Sequence, residues 1–153
     1  MIKDKSILTK FTVRVYGLCI QSGKVLLVEE KLNGLTFTKF PGGGLEFGEG
    51  LLEALSREIQ EELATTCEIT NHFYTSDFFQ QSAFNAAEQL ISVYYFITLK
   101  DGPSIEKFPM QRSQSSNHSL LFFWADLDEV SESWVTFPID KIVVAKLKAT
   151  NFN

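Results

Sequence analysis

Three glutamates, Glu58, Glu61 and Glu62, stand at positions i, i+3 and i+4 of a stretch in which Leu52, Leu55, Ile59 and Leu63 recur at three- and four-residue intervals. At about 100° per residue this spacing predicts an α-helix with one apolar face and the three carboxylates in an arc beside it. Anions so placed repel each other, and near a helix C-terminus the macrodipole disfavours each by roughly 0.3–1 kcal/mol. A divalent cation reverses that sign. An all-oxygen set of carboxylates selects a hard ion, Mg²⁺ first and Mn²⁺ second. Alone, an acidic run reads as a solvated helix face; its surroundings argue otherwise. Arg57 follows Glu53 at i+4, the favourable order for an ion pair, and Glu49 and Glu53 lie near the positive end of the helix. Upstream, Gly42, Gly43 and Gly44 follow Pro41 and let the backbone come close to a ligand.

In order and spacing, Gly43, Glu49, Arg57, Glu58, Ile59, Glu61 and Glu62 resemble the signature of the Nudix hydrolases, G-x5-E-x7-R-E-U-x-E-E-x-G-U, with U an aliphatic residue. Two positions depart from it, Ala64 in place of the last glycine and Thr65 in place of the last aliphatic. If that glycine caps the helix, Ala64 either takes a left-handed conformation at roughly 1–2 kcal/mol or the chain leaves the helix differently. The resemblance implies an α/β (α+β) fold, an α/β/α sandwich with a mixed sheet between two main helices. It also implies attack of a metal-activated water on a nucleoside diphosphate linked to another group. On that reading Glu58 and Glu62 are the first choices as ligands of Mg²⁺ or Mn²⁺. Glu61 is a further ligand or a base for water, and a backbone carbonyl of Gly42 or Gly43 completes the shell. Arg57, paired with Glu49 or Glu53, holds Glu58 in place. Many members of the family draw another carboxylate from a loop between later strands. Glu88, Asp101 and Glu106 are the candidates, because residues 111–119 contain no Asp or Glu. His118 substitutes only if folding brings it within hydrogen-bond reach of the attacking water.

The elements that must hold such a site are legible around it. Alternation of apolar and β-branched residues predicts strands over residues 11–20, 24–30 and 36–40 before the acidic helix, and over 68–79, 90–99 and 120–125 after it. Ser22 and Gly23 suit a hairpin turn between the first two. Pro138 in a first turn, followed by Ile139, Ile142, Val143, Ala145, Lys146 and Leu147 as a broad apolar stripe, predicts a second helix over 138–149. Residues 111–119 are polar enough to read as a mobile loop. With no Pro/Ser-rich linker or charge block in 153 residues, residues 1–153 read as one domain.

Composition narrows the partners. The net charge of -5, with no Lys/Arg cluster, gives long nucleic acid little electrostatic support, whereas a nucleotide or nucleotide conjugate can have its phosphates neutralised locally. The first ten residues hold no apolar signal region and no segment reaches the length of a membrane span, so a cytoplasmic protein without a membrane partner is expected. The resemblance leaves room for a homodimer. Arg14 and Lys39, on strands leading into the site, are candidate phosphate-binding residues together with Gly42 and Gly44, and Arg14 offers bidentate geometry. Cys19 and Cys67 read as buried free thiols, and His72 and His118 as structural histidines. Phe73, Phe78, Phe79 and Phe84 can stack a nucleobase, but strand aromatics usually build core, so only a minority is expected to face a ligand. Two other classes compete with hydrolysis. A ligand-binding or regulatory domain of the same fold is expected to have lost acids of the signature, and a diphosphate-ester isomerase wants a reactive cysteine beside the diphosphate. All three acids are present and neither cysteine has a supporting motif.

Overall fold

A computed structural model of the protein describes residues 4–100 and 108–152. Asp101 and Glu106, two of the carboxylates considered as a base, lie outside the described residues. The chain forms β1 (Lys10–Gln21), β2 (Lys24–Leu32), β3 (Leu35–Lys39), β4 (Gly42–Gly44), α1 (Leu51–Leu63), β5 (Thr66–Thr75), β6 (Glu88–Lys100), β7 (Met110–Ser115), β8 (His118–Asp126) and α2 (Pro138–Ala149). One mixed sheet runs β5-β6-β1-β2-β8-β7, with β3 added to β2 and β4 to β1. β1 and β6 are parallel, and the other pairings are antiparallel.

Neighbouring residues of one strand feed opposite cores, the period-two signature of a sheet buried on both faces. Val15, Cys19, Leu26 and Val28 pack with Ala54, Leu55, Ile59 and Leu63 of α1. Tyr16, Leu18, Val25 and Leu27 pack with Val143, Val144 and Leu147 of α2. The two helices therefore cover opposite faces of a mixed sheet, the α/β/α layering that the resemblance implied.

The gap that becomes the site follows from one pairing. β1 and β2 share only Ile20↔Val25 and Gln21↔Lys24 beside their turn. Beyond these two pairs they separate, β4 taking the freed edge of β1 and β3 that of β2. The backbone of β4 must come very close to β1: a Cβ on Gly42, whose φ is +147°, would lie 2.1 Å from the Val15 carbonyl oxygen. Only glycine fits there.

Several expectations need correction. Residues 111–119 are not a mobile loop; they lie almost wholly in β7 and the start of β8, a hairpin at the sheet edge. An edge strand is held by main-chain hydrogen bonds and tolerates polar side chains, so composition concealed it. The strand expected over 68–79 ends at Thr75, and residues 76–87 instead form a connection to β6. Leu52 is exposed and Ala54 takes its place on the buried face of α1, while on α2 Ala145 and Lys146 are exposed and Val144 is buried.

Of the two exits left open at Ala64, α1 takes the left-handed one. Ala64 adopts the left-handed conformation, φ 54° and ψ 35°, and its N–H donates to the Gln60 carbonyl at 3.0 Å. Arg112 of β7 supplies another cap by donating to the Leu63 carbonyl at 3.1 Å. Ala64→Gly should raise stability by about 0.5–1 kcal/mol in urea unfolding, since glycine relieves the left-handed strain at some cost in chain entropy. A destabilised variant would refute strain at this cap.

Candidate functional site

A cavity of about 1120 Å³ opens where β1 and β2 part. Its walls carry Arg14 and Tyr16 of β1, Glu30 of β2, Phe37 and Lys39 of β3, all three glycines of β4, Glu58 and Glu62 of α1, and His118 of β8. The 76–87 connection and the start of α2 close the other side with Phe78, Phe79, Phe84, Phe137 and Asp140. Of the sequence-selected residues, Gly42, Gly43, Gly44, Arg14, Lys39, Glu58 and Glu62 thus meet in one cavity. Glu61 does not line it; that side chain is exposed at the outer edge of α1.

Arg57 fixes the acidic helix to the strand before it. Its guanidinium grips Glu49 with two bonds, Nη2 to Oε1 at 2.6 Å and Nε to Oε2 at 3.0 Å, and Nη2 also donates to the Gly44 carbonyl at 2.9 Å. Nη1 lies 3.0 Å from Glu58 Oε1 and 3.3 Å from Glu61 Oε2. Of the two partners expected for Arg57, Glu49 holds this position. Glu53 instead accepts from the Gly50 N–H at 3.4 Å at the start of α1. The bond to Arg57, seconded by a backbone bond, holds the Glu49 carboxyl below its usual pKa.

The residues fit a hard divalent cation on three observations. Glu62 Oε2 has essentially no solvent exposure and no hydrogen-bond partner. Burial, seconded by Glu58 and Glu30, pushes the Glu62 carboxyl up to about 7 against the pull of Lys39 and Arg14, so the charged form lacks sufficient compensation from the protein. Gly43 forms a cradle against Glu58, because a Cβ there would sit 2.4 Å from the Glu58 carboxyl. The donors are all oxygens, as Mg²⁺ and Mn²⁺ prefer. Among the described residues no three acidic, histidine or cysteine side chains converge closely enough to enclose a cation alone. Mg²⁺ does not need such a cage, since it commonly takes one or two carboxylates with water and substrate phosphate oxygens.

Opposite the acids stand the cations. Lys39 is buried, 3.2 Å from Glu30, and donates to the Gly42 carbonyl at 3.4 Å. Burial works against its charge, but Tyr16, Glu62 and Glu30 outweigh that and raise its pKa above the usual lysine value. Arg14 donates from Nε to the Tyr16 hydroxyl at 2.6 Å.

Sequence reading passed over Glu30, Tyr16, Tyr94 and Asp140. The signals were present. Glu30 interrupts the alternating apolar row of β2, and Asp140 sits on the stripe Val143, Val144, Leu147 of α2 at i, i+3, i+4 and i+7. A charged residue at a core-facing position is a buried polar group and calls for a partner. Asp140 has one in the Tyr94 hydroxyl, which donates to Oδ1 at 2.5 Å. The aromatics also need correction: Phe73 packs against the α2-side core and Phe96, whereas Phe78, Phe79 and Phe84 all border the cavity, more than the minority expected. His72 meets Thr75 Oγ1 at 2.7 Å, and Glu88 is held by Lys10 at 3.4 Å and Asn85 at 3.2 Å. Cys19 is a buried free thiol whose pKa burial pushes up to about 11, and Cys67 is free and half-buried. No helix among the described residues is long and apolar enough to cross a membrane.

Comparison with known proteins agrees with this layout. A family profile described as NUDIX domain matches residues 9–147. A NUDIX hydrolase from Nitrosomonas europaea is similar in structure with a TM-score of 0.68 at 20% identity, over 90% of this chain and 88% of that one. A MutT NUDIX hydrolase from Burkholderia pseudomallei gives 0.67 at 18% identity, over 88% and 96% of the two chains. An ADP-ribose pyrophosphatase from Streptococcus suis gives 0.57 at 15% identity, over 89% and 86%. No curated protein matches the sequence.

Asp140 makes stability depend on pH. Burial lifts its carboxyl from 3.8 to about 6, with the Tyr94 bond opposing, so the native state holds this proton after the unfolded chain has released it. The sign follows: Asp140 lowers stability progressively as pH rises from about 4 to about 6, and the loss is complete above that window. Asp140→Asn should flatten this slope by an amount on the order of 3 kcal/mol across the window. Urea unfolding at a series of pH values measures it, and parallel curves for the two proteins would contradict the assignment.

Proposed function

The chain belongs to the NUDIX family, and from that premise we propose that it hydrolyses the diphosphate linkage of a nucleoside diphosphate joined to a further group, with Mg²⁺, or Mn²⁺ in its place, as the cation. The observation that carries this reading is the unpartnered, buried Glu62 Oε2 beside Glu58 and the open backbone of Gly43. Glu58, Glu62 and the Gly43 carbonyl would hold the cation, and Glu61, three residues from Glu58 on the exposed edge of α1, would serve only through water. Bound there, the ion neutralises diphosphate oxygens and lowers the pKa of water. Arg57, gripped by Glu49, orients Glu58 and stops the helix from turning that carboxylate away. Arg14 and Lys39 face the same cavity and bind phosphate oxygens, with the backbone of Gly42 and Gly44 close beside them.

The nucleoside end is supported by the aromatic wall. Phe37, Phe84 and Phe137 form a mutual cluster with ring centroids 5.1, 5.5 and 6.0 Å apart, and Phe84 is 56% exposed toward the opening. A planar base stacks on such a surface, which leaves the phosphates to reach the acids and the two cations. The protein is read as one domain working in the cytoplasm, with room for a homodimer.

Glu58→Gln and Glu62→Gln should each lower Mg²⁺-dependent turnover at least about 100-fold against a panel of nucleoside diphosphate conjugates, and chelation should abolish it. Undiminished turnover in both variants would defeat these roles. Phe84→Ala should raise KM about 10-fold with kcat nearly unchanged, as expected for loss of one stacking surface; a fall confined to kcat would place the base elsewhere.

A further inference from the structure

The hydrolysis read above still lacks a proton acceptor for its water, and the hairpin of β7 and β8 offers one. Residues 111–119 carry only two ionisable side chains, Arg112 and His118. Arg112 is turned to the end of α1. His118 lines the cavity.

Register places it on the working face. Directly opposed residues of β2 and β8 are Val28 with Phe122, Glu30 with Leu120, and Leu32 with His118. Val28, Leu120 and Phe122 belong to the core under α1, so strand alternation puts Glu30 and His118 on the same side of the sheet as the helix that bears Glu58 and Glu62. There they are diagonal cross-strand neighbours, and His118 Nε2 lies 2.6 Å from Glu30 Oε2. Glu30 is only 8% exposed, and Lys39 meets its other oxygen at 3.2 Å. The charged groups facing the imidazole are thus Glu30 from β2 and Lys39 from β3, with Glu62 of α1 and Arg14 of β1 within electrostatic reach of Glu30. Lys39 pairs with one Glu30 oxygen, and the other oxygen of the carboxylate accepts the Nε2–H. That tautomer leaves the lone pair on Nδ1, for which the described residues offer no hydrogen bond.

We propose that His118, oriented by Glu30, is the general base of the reaction, an assignment that rests on the hydrolase reading. The water oxygen forms its bond to phosphorus while its proton passes to His118 Nδ1. The bridging P–O bond breaks and its electron pair stays on the departing phosphate oxygen. Glu30 does not touch substrate; it is a positioning residue that fixes the tautomer and stabilises the imidazolium. Of the other acids, Glu88 also borders the cavity but is held by Lys10 and Asn85, and Glu61 lies outside it, bonded to Arg57.

The test compares wild type with His118→Gln, His118→Asn and Glu30→Gln. His118→Gln should lower kcat about 100-fold or more with KM within threefold, and should abolish the acid limb of the pH–kcat profile, where the imidazole must lose its proton. Nitrogen-15 NMR of wild-type His118 above the acid limb should show the Nε2–H tautomer, and Glu30→Gln should convert it to a mixture. This readout needs neither turnover nor a foldable variant at 118. An active wild type whose acid limb survives in both His118 variants, or an Nδ1–H tautomer in the wild type, overturns the assignment alone. A wild type that cleaves no nucleotide of the panel overturns the hydrolase reading and this one with it.

Discussion

The bidentate grip of Arg57 on Glu49 is the contact on which the site's geometry depends. Like charges at i, i+3 and i+4 destabilise a helix by a few tenths of a kcal/mol per pair. One guanidinium spans Glu49 ahead of α1, the Gly44 carbonyl of β4, and Glu58 and Glu61 on the helix itself. Because Arg57 is about one-quarter exposed, solvent screens part of its attraction, and its contribution is geometric more than energetic. It ties the glycine strand to the helix, so that Glu58 meets the bare backbone of Gly43 instead of turning to water.

Around this clamp the sheet changes character along its strands. Where β2 and β8 run beneath α1 the opposed pairs are apolar, and where the row reaches the gap it gives way to Glu30, Lys39 and His118. On the other face, the core under α2 ends in Tyr16, Tyr94 and Asp140, with Arg14 beside them. Charges this deep are tolerated only when paired or hydrogen-bonded. Glu30 and Lys39 meet that condition with each other and with His118. Glu62 does not, and this difference marks it among the acids.

How much of this was legible in the sequence depended on the range of the physics involved. Helix α1, with its acids in order, is a local pattern, and local periodicity plus glycine placement revealed it, while the α/β/α layering came from the resemblance those residues carry. The left-handed turn at Ala64 could be posed as one of two outcomes from a single substituted residue. The hairpin of residues 111–119 was hidden because pairing with a neighbour, not side-chain polarity, makes an edge strand. Glu30 and His118 lie 88 residues apart and meet only through the β2–β8 register. Phe37, Phe84 and Phe137 likewise come from three separate segments, so no window on the sequence contains the wall they form.

The short seam between β1 and β2 has a mechanical side. Two register pairs join strands that each belong chiefly to a different half of the sheet, β1 with β6 and β4, β2 with β8 and β3. The halves are thus hinged near one turn and open toward the cavity, like the arms of tweezers. Arg14 sits on one arm and Lys39 on the other. A phosphorylated compound held by both, as proposed, would span the opening and bridge the two halves.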